Sequence, residues 1–222
     1  MRKTRSRGPL VVLAALGLTL GMIGEAGAIK PFGTSPGDWG GRWWQWAFSI
    51  PADENPLFDE TGERCMVDQP DKGFVYLVGV FNSTGTVVRD DCVIPKGRAI
   101  FAPLVNVECS SLELDPFYGD DPESLAECLE PWGWTDTFAE LDGYARRTIE
   151  QRSSMYEIGP MPENNILGAE AGATGVSMAN GEYVMITPLP PGEHELRFGG
   201  DLTYGGEFAG WSLDITYHLT VA

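Results

Sequence analysis

Histidine is nearly missing from this chain of 222 residues: His194 and His218 are the two it has. A metal centre of three histidine ligands is therefore excluded, and a serine triad would have to recruit one of these two. Lysine is almost as scarce. Past the N-terminal segment only Lys30, Lys72 and Lys96 occur, against 32 Asp and Glu in the whole chain and a net charge of −17. Such a surface repels phosphate backbones, which argues against nucleic acid as a partner. No C-x-x-C pair, H-E-x-x-H, P-loop or G-x-G-x-x-G pattern is present, so the usual redox, zinc-protease and nucleotide signatures are absent. An apolar run of about 20 residues, the length needed to span a bilayer, is also lacking.

One shorter apolar run does occur. Leu10 to Ile23 follows Arg2, Lys3, Arg5 and Arg7 and precedes Ala26-Gly27-Ala28. A basic start, a short apolar stretch and an A-x-A site together read as a secretory signal peptide over residues 1–28. The remaining residues, 29–222, are enough for one domain and thin for two. They are expected to be secreted or periplasmic, and removal of the basic leader makes them more acidic still. Exported chains keep disulfides, and Cys65, Cys92, Cys109 and Cys128 are even in number. Three pairings are possible. The sequential one, Cys65 with Cys92 and Cys109 with Cys128, closes the shortest loops and is the expected one.

Aromatic residues are abundant, and four tryptophans crowd one stretch. Trp39, Trp43, Trp46 and Ile50 recur at the spacing of one helical face, behind Ser35-Pro36 and ahead of Pro51. Serine as N-cap, proline at the first helical position and proline as stop predict a helix here. A stripe at this spacing reads as packing rather than as an exposed platform. Trp44, at the stripe's edge, is the ring expected to show the most exposure.

Downstream the period changes to two. Phe74–Phe81 and Val87–Ile94 read as a hairpin, and Arg98–Val107 as a buried strand that Pro103 obliges to bulge or lie at an edge. Asp121-Pro122-Glu123 starts a short helix. Asp142-Gly143 and Asn180-Gly181 are hairpin turn pairs, although residues 135–149 also suit a helix. Trp211 to Val221 alternates apolar and polar side chains. The expectation is a mainly β protein: a single antiparallel β-sandwich, jelly-roll or Ig-like, with an N-terminal helix and a short helix inside a disulfide-closed loop.

WWQWAFSIPADENPLFDETGERC, CVIPKGRAIFAPLVNVEC, the ELDG turn and PLPPGEHELRFGG through ITYHLTV resemble a group of uncharacterised secreted bacterial proteins. The resemblance implies export and one β-rich domain. It supplies no activity and no residue role.

Candidate chemistry rests on carboxylates and rings. Asn106 and Glu108 share a face at the end of the apolar strand. A carboxyl held there against apolar walls would have a raised pKa and the character of a general acid or base. Asp115, Asp53 and Glu54 are candidates for a second carboxylate. Asp115, Asp120, Asp121 and Glu123 put hard oxygen ligands on one loop, a set that suits calcium, though the spacing is not that of an EF-hand. Trp44, Trp132 and Trp134 are candidate ligand-binding rings. The function expected is binding of an extracellular glycan or cell-envelope component. A carboxylate-dependent polysaccharide hydrolase or lyase is the alternative, and a structural surface protein the third reading. The deciding observation is which of Trp44, Trp132, Trp134 and Glu108 line one concavity.

Overall fold

The computed structural model describes residues 33–81, 85–203 and 210–222; the segment read as a signal peptide lies outside the described residues. The described residues are mostly β, with two α-helices and two sheets. Helix α1 spans Pro36–Ser49. Ser35 caps it by accepting from the Asp38 N–H at 3.1 Å, and Asn55 closes its far end by donating to Ala47 O at 2.7 Å and Ile50 O at 3.2 Å. All four tryptophans of α1 are buried, Trp44 included at 6% exposure, so the stripe is packing throughout. Where the helix backbone itself comes against the first sheet, the residues are glycines. A Cβ on Gly40 would lie 2.3 Å from the Tyr183 hydroxyl, and one on Gly37 2.2 Å from Arg152 O, so the helix backbone sits directly on its neighbours.

The first sheet runs β1 (Phe74–Tyr76), β3 (Ala99–Ser110), β8 (Gly175–Ile186) and β6 (Thr148–Arg152), with β7 (Tyr156–Ile158) also paired to β8. The second runs β2 (Gly85–Ile94), β10 (Ser212–Val221), β9 (Gly192–Leu202), β4 (Trp134–Leu141) and β5 (Tyr144–Ala145). Side chains of both sheets share one apolar cluster, among them Ile100, Leu104, Val184, Phe198, Ile215 and Leu219. A second cluster packs α1 against Phe74, Phe101 and Tyr183 on the first sheet. Helix α2 (Pro122–Leu129) is capped by Asp121 and sits in the loop closed by Cys109–Cys128; the other disulfide is Cys65–Cys92. Among the described residues no helix is long and apolar enough to cross a membrane.

Three strand expectations need correction. The sheets are mixed: β1 runs parallel to β3, and β2 parallel to β10. For the same reason β1 and β2 form no hairpin, because they belong to different sheets. Asn180-Gly181 is not a turn either. It lies inside β8, a continuous central strand paired on both sides. Gly181 is there for space, since a Cβ would fall 2.6 Å from that of Asn106. Asp142-Gly143 does turn the chain between β4 and β5, with φ of 53° and 75°, and no helix forms over 135–149. In β10 the alternation holds, with Leu213, Ile215, Tyr217, Leu219 and Val221 all buried.

Pro103 marks the place where the site begins. Strand β1 covers only Ala99–Phe101 of β3, and the next pairing on that side is the bridge of Ser110 to Tyr118, so among the described residues β3 has an unpaired side from Pro103 up to Ser110. Its register on β8 shifts between Pro103 and Val105, as a bulge at a proline would produce.

Candidate functional site

A cavity of about 330 Å³ lies along the unpaired stretch of β3. Strand β3 contributes Pro103, Leu104, Asn106, Val107 and Glu108, and the chain leaving β1 contributes Gly79–Phe81. The remaining walls are aromatic and aliphatic: Trp43, Trp44 and Phe48 from α1, Phe117 and Trp132 from the disulfide loop and its exit, and Trp211 ahead of β10. Trp44 stacks on Phe48 at 5.1 Å and meets Trp43 edge-on at 4.9 Å; Phe117 and Trp132 stack at 5.1 Å.

Trp44, Trp132, Asn106 and Glu108 thus meet in one concavity. Trp134 does not line it; that ring is half-buried at the start of β4. The proposed second carboxylates lie elsewhere. Asp53 accepts from Asn164 at 2.9 Å on the surface, and neither Glu54 nor Asp115 reaches the cavity. The carboxyl that does is Glu113. A signal for it existed in Ser110 three residues earlier, whose hydroxyl donates to Glu113 Oε2 at 3.1 Å and folds the loop back over β3.

Glu108 is 4% exposed. Its Oε2 accepts from the Ser177 hydroxyl at 2.5 Å, and Ser177 Oγ lies 2.9 Å from the Tyr156 hydroxyl. With the serine proton committed to Glu108, Tyr156 donates to Ser177. Burial pushes the Glu108 carboxyl well above the usual range, and the neighbouring Glu113 carboxyl raises it further. Burial likewise raises Glu113. The two carboxyls are neighbours in the cavity, so ionisation of one opposes ionisation of the other.

Three polar atoms in the cavity wall are buried without a hydrogen-bond partner: Trp44 Nε1, Asn106 Nδ2 and Glu108 Oε1. Buried groups of this kind are rare in folded proteins. Two unpaired donors and an unpaired carboxyl oxygen, on residues that line an apolar cavity, form an arrangement suited to a ligand.

The other expected centres are not assembled. Among the described residues no three His, Cys, Asp or Glu side chains converge as metal ligands. Asp121 spends one oxygen on the N–H groups of Glu123 and Ser124 as helix cap, and Asp120 accepts from the Tyr118 hydroxyl at 2.9 Å. Asp115, Asp120, Asp121 and Glu123 are not gathered into such a group of metal ligands. The histidines are bound singly. His194 lies 2.9 Å from Asp142 Oδ2 and 3.0 Å from Pro190 O, while His218 sits between Asp90 and Glu195. Their carboxylate partners raise both pKa values. Gly33-Thr34-Ser35-Pro36-Gly37 spells G-x-S-x-G, but Ser35 is the α1 cap and donates to Asp38 at 2.7 Å. With both nitrogens of each histidine engaged elsewhere, it has no general base and is no nucleophile elbow.

No family model and no curated protein matches the chain. Two solved structures show a slight likeness. The cysteine protease inhibitor EhICP2 of Entamoeba histolytica is 12% identical over 68% of this chain and 98% of its own, with a TM-score of 0.21. Amebosin is 10% identical over 63% of this chain and 100% of its own, with a TM-score of 0.19. Scores this low bear on neither fold nor function.

Proposed function

We propose that this is an extracytoplasmic binding protein, a two-sheet β-sandwich that takes a small ligand into the cavity beside β3. The ligand is a sugar unit or a cell-envelope fragment of similar size. One observation carries the reading: Trp44 Nε1, Asn106 Nδ2 and Glu108 Oε1 are buried without partners in the wall of a single, mostly apolar cavity. Leaving such groups unpaired costs roughly 1–3 kcal/mol each, and a ligand that pairs them recovers that cost. A cavity of this volume falls in the range of small-molecule sites. The recessed rings do not form the flat strip that a long polysaccharide would lie across.

The Glu108–Glu113 pair favours a second reading, in which Glu108 acts as general acid on a polysaccharide. Glycoside hydrolysis needs a second carboxylate about 5 to 10 Å from the acid, across the scissile bond, whereas Glu113 is a direct neighbour that raises the Glu108 pKa. Binding is therefore the stronger of the two. A structural surface protein would have no use for a cavity with unpaired donors.

The test is titration of the exported chain with monosaccharides and envelope fragments, read by tryptophan fluorescence. A saturable signal is expected. Trp44→Phe, which keeps the ring and loses the N–H, should weaken binding about tenfold without altering the fold. Unchanged affinity in that variant, or silence from every compound, would overturn the reading.

A further inference from the structure

Glu108 and Glu113 place two carboxyls in the cavity, yet among the described residues its lining contains no Lys, Arg or His. Every other ionisable group that faces Glu108 is neutral or acidic: Glu113 from the loop after β3, Ser177 from β8 and Tyr156 from β7. The rest of the lining is mostly aromatic and aliphatic and supplies no counter-charge among the described residues. The chain as a whole carries a charge of −17, a field that draws cations toward any opening. On the premise that the cavity is a ligand site, as proposed above, we infer that its ligand is a small organic cation: an amine or quaternary ammonium on a body that also bears an acceptor oxygen.

Each unpaired atom then acquires a role. Glu108 Oε1, with Glu113 beside it, receives the ammonium group. The faces of Trp43, Trp44, Phe117 and Trp132 surround the cation, as aromatic walls do in sites selective for ammonium groups. Trp44 Nε1 and Asn106 Nδ2 donate to the ligand oxygen. A neutral polyol would satisfy the donors but leave the negative charge of the carboxyl pair without a partner. An anion would face them directly. An amino sugar or an amino alcohol presents both features at a size the cavity admits.

The experiment compares matched pairs: choline with its neutral isostere 3,3-dimethylbutan-1-ol, and glucosamine with N-acetylglucosamine. Tryptophan fluorescence of the exported chain provides the signal. Each cation should bind at least about tenfold more tightly than its neutral counterpart, a preference of the size that desolvated cation–π and charge contacts supply. Cation affinity should fall as pH is lowered through the raised carboxyl range, because protonation of the pair removes its charge. Glu108→Gln and, separately, Glu113→Gln should reduce the preference while circular dichroism stays native. Equal binding of neutral and charged partners would overturn the assignment, as would an undiminished preference in Glu108→Gln; either leaves the cavity reading standing. Silence from all four probes also overturns it, whereas the cavity reading falls only if the wider fragment screen is silent too.

Discussion

Glu108 concentrates the energetic cost of this site in one residue. Its carboxyl is buried, with one oxygen on Ser177 and the other without a hydrogen-bond partner. Because burial raises its pKa in the folded state, the native protein binds protons more tightly there than the unfolded chain does. Stability must then fall as pH rises from the unfolded carboxyl value, about 4.3, through the folded one. Glu108→Gln has the same shape and no such proton to lose. The melting temperature of the variant should therefore gain on wild type as pH is raised from 4 to 8, and thermal melts across that range would show it. A constant difference would mean that Glu108 does not titrate as a buried acid. The strand pattern placed Asn106 and Glu108 together at the end of β3, because period two puts them on one face. Glu113 could not be found that way, since it reaches the cavity only through the loop that Ser110 and the Cys109–Cys128 bridge fold back.

At the scale of elements, α1 decides how the cavity is walled. Its boundaries are written locally, in Ser35-Pro36 and in the buried amide of Asn55. What periodicity could not express is that the closest contacts belong to residues with no side chain. Ordinarily Gly→Ala in a helix stabilises by about 1 kcal/mol. At Gly40 the added methyl would lie 2.3 Å from the Tyr183 hydroxyl and 2.6 Å from its ring, so Gly40→Ala should instead destabilise by about 1–3 kcal/mol. Urea denaturation would check the sign, and a stabilised variant would mean that α1 does not rest on β8 as described. Gly181 follows the same logic in β8. Asn-Gly is a strong turn signal where the chain is free to turn, but here the glycine admits Asn106 across the ladder and the strand continues. Asp142-Gly143 turns because β4 ends there and both residues take positive φ.

Across the whole molecule, the two disulfides do different work. Cys65–Cys92 ties the segment after α1 to β2. Cys109–Cys128 spans a sequence separation of 19 residues and closes the loop that brings Glu113 and Phe117 to the cavity. Replacing both cysteines of either bridge by serine should cost about 3 kcal/mol, by the entropy restored to the unfolded chain. Only loss of Cys109–Cys128 should also weaken ligand binding in the protein that remains folded. Denaturation curves and fluorescence titration of the two variants separate the effects; equal binding in both would detach the loop from the site.

The sequence by itself determined the features that depend on near neighbours. These are the capped ends of α1 and α2, the alternation of β10, the Asp142-Gly143 turn, and the cysteine pairs whose loops are shortest. The caps, the alternation and the turn follow from backbone preference or side-chain period over a few residues, and the pairing from the smaller total loop that sequential bridges close. Only the tertiary structure decided that β1 and β2 part to different sheets, that β8 runs straight through an Asn-Gly pair, and that Glu113 rather than Asp115 joins Glu108. Those outcomes turn on which distant strands share hydrogen bonds and on how closely two backbones approach, quantities that local propensity does not contain. The cavity arises at the same level, where β1 stops pairing with β3 and rings from α1, the disulfide loop and the start of β10 meet across the gap.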